Sequence, residues 1–290
     1  MDGRAVAPAA GTVLNALATG RGSAFAIDLE TTATVELTTD GEVDGTIAGR
    51  PEADATLIER CAALTIDEYA ATAGLTSTDV GARVTTDSDV PMAAGLKSSS
   101  AAANATVLAT LDALEIRDAV ERIEACRLGV RAAREAGVTA TGAFDDASAS
   151  MLGGVTVTDN TSDELLAREP IEWNALVYTP PEQAYSADAD VAACKRIAPM
   201  AELVEELALE GRYGEAMTVN GFAFCGALEF PTGPMLEALP DVTGVSLSGT
   251  GPSYVAVGDR ATLEGVRDRW NDRDGTTRLL TTRTDGTRTT

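Results

Sequence analysis

The chain has 290 residues, enough for a substantial core, and carries 45 acidic against 22 basic residues, a formal charge of −23. That sign repels nucleic acid and anionic membrane, and no apolar run approaches the ~20 residues of a membrane span, so neither is an expected partner. Histidine is absent and the four cysteines, Cys61, Cys126, Cys194 and Cys225, form no CxxC pair, which excludes His-based triads and argues against a zinc site.

Met1 is followed by Asp2, Gly3 and Arg4 without a signal-peptide core, so a cytoplasmic protein is expected. The acidic residues are spread along the chain, aromatics are 4%, and only two of the basic residues are lysines. This balance suits a cytoplasm of high salt, where charges are screened within a few ångströms.

Residues 29–38 alternate like a strand, with Leu29, Ala33, Val35 and Leu37 on one side. Asp40-Gly41 and Asp44-Gly45 read as turns, with 42–49 as a candidate hairpin. Residues 54–74 have helical spacing, and 80–90 look extended up to Pro91. Ser98–Leu114 is expected as a helix with an apolar stripe of Ala103, Val107, Leu111 and Leu114. Asp118–Ala136 is expected as a second, stopped by Gly137. Residues 139–150 read as a loop before a strand-like 153–159; further on, 174–181 reads as a strand, 187–210 as helical, and 244–259 as strand, glycine turn, strand. The last residues, 277–290, supply a final strand with a polar tail. The fold class is α+β, divided into lobes of 1–150 and 151–290.

The segment Pro91-Met92-Ala93-Ala94-Gly95-Leu96-Lys97-Ser98-Ser99-Ser100-Ala101 joins a glycine turn, a cation and a serine-rich helix start. Such a start attracts phosphate through its free N–H groups and its partial positive charge, and serine hydroxyls there can bond phosphate oxygens or ligate magnesium. It is not a Walker A loop, because no second glycine precedes Lys97. A Ser-capped, Ala-rich helix without any ligand has the same composition.

The order Pro-x-x-x-Gly-Leu-x-Ser-Ser-x-Ala resembles the ATP loop of the GHMP kinases, among them galactokinase, homoserine kinase and mevalonate kinase. Residues 247–253, with Gly249, Thr250 and Gly251, resemble that family's C-terminal glycine-rich motif, and 141–147 stand where it carries a catalytic aspartate. Residues 7–29 stand in the place of the family's first motif, which contributes to the substrate side, but depart from the APGK wording of mevalonate and galactose kinases. The segments 18–29, 95–105 and 141–154 together resemble the archaeal type of shikimate kinase.

The resemblance implies a two-lobed fold of mixed sheets and packed helices with a nucleotide cleft between the lobes, and ATP and Mg2+ as cofactors. It implies phosphorylation of shikimate at its 3-hydroxyl, with homoserine or another small alcohol as the alternative acceptor and a non-catalytic nucleotide sensor as a reading of another class. A homo-oligomer is left open. Gly95 and Lys97–Ser100 would hold phosphate, Ser99 would ligate magnesium, and Glu135 or Glu124 would complete that metal site.

Asp145 and Asp146, adjacent like charges that need an offsetting cation or hydrogen bonds, are both candidates to orient or deprotonate the hydroxyl, Asp145 being preferred. Lys97 would stand beside them. The shikimate carboxylate calls for a cation, and Arg21 is the candidate. Asp28 would accept a ring hydroxyl, and Gly20, Gly22 and Ser23 would let the backbone approach the ring.

A charge of −23 also implies self-repulsion that salt relieves. The melting temperature should rise steeply from low to molar KCl; a flat profile would remove the high-salt argument.

Overall fold

The computed structural model describes residues 1–139, 142–184, 188–239 and 241–290. The chain opens with two long strands, β1 (Asp2–Leu14) and β2 (Arg21–Thr38), followed by a short β3 (Val43–Ile47). Then come α1 (Thr56–Tyr69), β4 (Gly81–Ser88), α2 (Ser98–Ala113), α3 (Arg122–Glu135) and α4 (Phe144–Leu152). After these are β5 (Val155–Asp159), β6 (Glu164–Glu169), β7 (Asn174–Thr179), α5 (Val191–Arg196), α6 (Ala198–Leu209), α7 (Tyr213–Ala227) and α8 (Gly233–Ala238). The last elements are β8 (Gly244–Leu247), β9 (Tyr254–Gly258), α9 (Arg260–Trp270), β10 (Thr276–Thr281) and β11 (Arg288–Thr289).

Two sheets result. The first runs β11-β1-β2-β4-β3, with β5 joined to β2 and β6 to β5; the second runs β10-β7-β9-β8. The length of β2 makes this possible, because residues 21–25 pair with β5 while 31–38 pair with β4. The fold is α+β and two-lobed, and the sheets part between β6 and β7, near residue 170. The C-terminal strand β11 also returns to the first sheet, beside β1.

Helix α2 is buried on almost every side, against β1, β2, α1 and α3. Small residues make this close approach possible: a Cβ on Gly3 of β1 would lie 2.1 Å from the Ala109 carbonyl oxygen of α2. Of the expected apolar stripe, Ala103, Val107 and Leu111 face α3 and α4 in one core cluster and Leu114 is buried just past the helix end, while Ala101, Ala105 and Leu108 fill another cluster against the first sheet. The largest cluster joins the second sheet to α7 and α9 around Trp270, Tyr254 and Phe224. All four cysteines are buried and unpaired, and burial pushes the thiols of Cys61 and Cys126 up.

Several segments differ from their expected form. Asp44-Gly45 is no turn; it lies within β3, which runs parallel to β4, and Gly45 admits the Glu59 side chain of α1, whose Oε1 accepts from the Gly45 N–H at 3.0 Å. The region expected to be helical from 187 is two helices, interrupted at Ile197 with Pro199 in the first turn of the second; residue 187 itself lies outside the described residues. Residues 144–150 of the expected loop 139–150 belong instead to α4. Its serines and aspartates oppose a helix reading, yet Ser148 and Ser150 are fully buried, so tertiary packing overrides local preference. Among the described residues no helix is long and apolar enough to cross a membrane.

Candidate active site

The helices α2 and α4 begin at one cleft, of about 360 Å³, closed on its far side by the turn between β8 and β9. Lys97 is the residue before α2 and Ala143 the residue before α4; both have positive φ, 66° and 51°, and neither caps its helix with its own side chain, although the first turn of α4 receives the Asn160 side chain at the Asp145 N–H. The first N–H groups of α2, from Ser98 to Ser100, are therefore left for a ligand. Ser98, Ser99 and Ser100 all line the cleft.

The two lobes meet at this loop. Gly95, at φ 75°, lies so near the 248–251 turn that a Cβ would stand 2.2 Å from the Ser248 carbonyl oxygen. The Ser248 hydroxyl donates to the Gly95 carbonyl at 2.9 Å. The next glycine is pinned from β1: the Gly249 N–H donates to Thr12 Oγ1 at 2.7 Å, and its carbonyl accepts from Asn15 Nδ2 at 2.8 Å. Asn15 is held in turn by α7, its N–H donating to Asn220 Oδ1 at 2.9 Å. Gly249 gives space to Lys97, since a Cβ there would come 2.7 Å from Nζ.

That ammonium stands 2.9 Å from Asp146 Oδ1, the side chains being 8% and 13% exposed. The contact is a charge pair without hydrogen-bond alignment, and Oδ1 has no other partner among the described residues. Asp145 is different in kind. It is buried, its Oδ1 accepts from Asn160 Nδ2 at 2.7 Å, and its N–H donates to Asn160 Oδ1 at 3.1 Å. Burial, and then the neighbouring Asp146 carboxylate, pushes its carboxyl up to about 7, against the opposing pull of Lys97 and the Asn160 amide.

Met92, Ala93, Gly95, Lys97, the three serines, Asp145, Asp146, Gly249 and Thr250 all line the cleft. Ala94, Leu96 and Ala101 are buried, and these three, Pro91 and Gly251 lie outside the lining. Glu135 is outside the lining and exposed, and its carboxylate is taken by Arg60 of α1; Glu124 pairs with Arg127.

Three further expectations are relocated. Arg21 turns to Asp159 at 2.8 Å and Glu205 of α6 at 3.5 Å. Asp28 is exposed and meets Arg283 at 3.0 Å. Ser23 shares a face of β2 with Phe25 and Ile27, and its buried hydroxyl points away from the face that carries Gly22 and Ala24 toward α4. Gly22 makes room for a side chain of the protein itself: a Cβ would lie 2.5 Å from Asp145 Cγ.

Asn15, Ala16 and Leu17, after β1 and within the N-terminal segment that stands for the first family motif, also line the cleft, as do residues that no motif marks: Ala133 and Gly137 to Thr139 at the end of α3, and Ala184. The one local signal at the end of α3 is Gly137, a helix stop.

Residues 56–154 match the family described as the GHMP kinases N terminal domain. The shikimate kinase of Halobacterium salinarum is 63% identical over 291 residues, covering 100% of both chains. That of Methanococcoides burtonii is 47% identical, covering 97% of this chain and 96% of its own. The chain belongs to the shikimate kinase family. The GHMP scaffold is shared more widely: a homoserine kinase from Cytophaga hutchinsonii superposes with a TM-score of 0.79 at 17% identity, covering 100% of this chain and 97% of its own. The mevalonate kinase of Methanococcus jannaschii superposes at 0.75 with 16% identity, covering 97% and 98%. At such identities these two solved structures establish the fold alone.

The Gly249–Lys97 contact gives a direct test. In Gly249→Ala a methyl group enters the place of the ammonium at a positive φ that costs roughly 1–2 kcal/mol for a non-glycine residue. The flexible lysine end yields and leaves Asp146. Turnover should fall tenfold or more while the protein still melts cooperatively, a few degrees lower; unchanged turnover would detach the glycine from the lysine.

Proposed function

We propose that the chain transfers the γ-phosphoryl group of ATP to the 3-hydroxyl of shikimate, giving shikimate 3-phosphate for chorismate and aromatic amino acid synthesis. The observation that carries this reading is the Lys97–Asp146 pair standing beside the uncapped start of α2, in a chain aligned end to end with a shikimate kinase. Phosphoryl transfer asks a protein mainly for positioning and charge neutralisation, and the cleft offers both.

The N–H and hydroxyl groups of Ser98, Ser99 and Ser100 would hold phosphate oxygens, with the Gly249-Thr250 turn closing over them. Magnesium brought with the nucleotide supplies further neutralisation when bound. The exposed Ser99 hydroxyl is the ligand this loop offers, since no cluster of three acidic or cysteine side chains able to hold a metal by itself occurs among the described residues.

Of the two aspartates we assign the hydroxyl to Asp146, the one that faces Lys97 and keeps a carboxylate oxygen without a donor. The hydroxyl oxygen attacks the γ-phosphorus, its proton passes to Asp146, and the bond to the ADP oxygen breaks. Lys97 offsets the charge gathering on the transferred group.

ADP release measured in high salt with ATP, magnesium and a panel of shikimate, homoserine and mevalonate tests the acceptor. Shikimate should be turned over and the others should not; fast homoserine turnover would leave only the kinase reading. Lys97→Met keeps the stem and loses the charge, a loss of about 3 kcal/mol or a hundredfold in rate. Asp146→Asn should cost roughly 10²- to 10⁴-fold as the loss of a general base. Circular dichroism checks that each variant is folded, and near-normal turnover in either would remove that residue from the chemistry.

A further inference from the structure

Asn160, at the end of β5, lies in no motif and does not line the cleft, yet it is 3% exposed and every polar group it carries is engaged. Its Oδ1 accepts from Thr158 Oγ1 at 2.8 Å and from the Asp145 N–H at 3.1 Å, which leaves Nδ2 to donate to Asp145 Oδ1 at 2.7 Å. The orientation of the amide thus follows from its partners. Its backbone ties down two more elements: its N–H donates to the Gly20 carbonyl at 2.9 Å, and its carbonyl accepts from Arg134 of α3 at 3.2 Å. The Asp145 carbonyl takes Ser148 Oγ at 3.1 Å, and the Asn104 side chain of α2 donates to the Ala147 carbonyl at 2.8 Å. The first turn of α4 is therefore fixed on several sides, and Asn160 is the only one of these partners that grips both the backbone and the carboxylate of Asp145.

We infer that Asn160 is a positioning residue for phosphoryl transfer, clamping Asp145 so that the adjacent Asp146 is held against Lys97 in a fixed field. This rests on the assignment of the hydroxyl proton to Asp146. The charges facing Asp145 are few: Asp146 from α4 and Lys97 from the start of α2. The faces turned to it by β2 and β5 are neutral, Gly22, Thr156 and Thr158, and the nearby Arg21 and Asp159 pair with each other. The negative charge on Asp145 adds to the potential in which Asp146 receives the proton, so activity should follow that charge. With the Asp145 carboxyl pushed up to about 7, the wild-type rate should rise about tenfold from pH 6 to pH 8.

Asn160→Asp separates this from a structural role. The new carboxylate meets Asp145 at the distance of the old amide, and the two then share one proton, as close carboxylate pairs do. The singly protonated pair has the charge of Asn160 beside ionised Asp145 and keeps the bridge between the two side chains, so it is the competent form and is reached at lower pH. At higher pH the second ionisation sets two carboxylates against each other, breaks the bridge and opens the clamp, and that loss of position outweighs the added charge. The ratio of kcat at pH 8 to kcat at pH 6 should drop from about ten to below one, while KM for ATP changes less than threefold.

A second readout needs no substrate. The shared proton is held more tightly in the folded than in the unfolded chain, so stability falls as pH rises through the folded value. The melting temperature of Asn160→Asp should fall between pH 6 and pH 8 by several degrees more than that of wild type. This arm also separates failures, because wild type that ignores shikimate would sink the proposed function and leave the clamp measurable.

A folded Asn160→Asp that loses activity equally at both pH values, or keeps the wild-type ratio, overturns the inference. If that variant does not fold, Thr158→Val decides, since it removes the hydroxyl that fixes the amide at 2.8 Å and otherwise reaches the Gly22 carbonyl, at 3.4 Å. We expect kcat lowered about three- to tenfold with KM for ATP unchanged, and a wild-type kcat would overturn the clamp.

Discussion

A lysine ammonium and an aspartate carboxylate, 2.9 Å apart and both largely hidden from water, impose the requirements that the rest of the cleft meets. Charges so shielded are tolerable only when paired, because the cost of dehydrating either alone is several kcal/mol. Each partner therefore has to be delivered to within a few tenths of an ångström. Lys97 comes from the last residue before α2, in a left-handed conformation costly for a side chain of its size. Asp146 comes from the first turn of α4. The glycines at 95 and 249 exist where any Cβ would strike the opposite lobe or the ammonium, and Thr12 and Asn15 hold the second of them in place. Replacing such a pair with apolar residues commonly costs a fold little, so its presence here speaks for function more than for stability.

Basic residues divide by role. At the surface arginine takes the carboxylates, with forked contacts such as Arg134 on Asp163 at 2.6 and 2.7 Å and Arg212 on Glu215 at 3.0 and 2.6 Å. Exposed pairs of this kind contribute little each, ~0–1 kcal/mol, but they organise a surface crowded with acid. In the cleft the cation is lysine, whose compact ammonium fits between Gly249 and Asp146 where a planar fork would not.

The parts of the molecule legible in the sequence are those whose residues are chosen for backbone geometry. Gly95, the serine run, Gly249 and the Asp145-Asp146 pair carry composition that few other demands explain, and the structure brings all of them to one cleft. Periodicity located α1 and α3, each of which buries one apolar face, while α2, buried on almost every side, was marked by its serine start, its alanine run and the Val107-Leu111 spacing. It did not find α4, whose small polar residues are buried inside the protein, Ser148 bonded to Thr156 and to the Asp145 carbonyl, or α7, which is apolar on most sides and lacks a contrasting face. Arg21 and Glu135 look free in a sequence, but each meets an opposite charge from a distant element, Asp159 and Arg60, and such pairings depend on topology. Asn160 leaves no trace for the same reason: its meaning lies in β5 ending beside the start of α4.

The acidic surface and the cleft pose one electrostatic problem together. A chain of charge −23 repels ATP and repels a carboxylate-bearing acceptor, so a weakly attractive patch at the mouth would be overwhelmed at low salt. At molar salt the screening length shrinks to about 3 Å, which removes the repulsion and equally removes any steering from a distance. Attraction must then act at contact. Buried sources of positive potential meet that condition, since ions screen them far less than surface charges. The uncapped N–H groups of Ser98 to Ser100 and the shielded Lys97 ammonium are such sources. On this view the acidic exterior and the concealed lysine are two consequences of one condition: recognition left to groups that touch the phosphates, on a protein whose long-range field the solvent has cancelled.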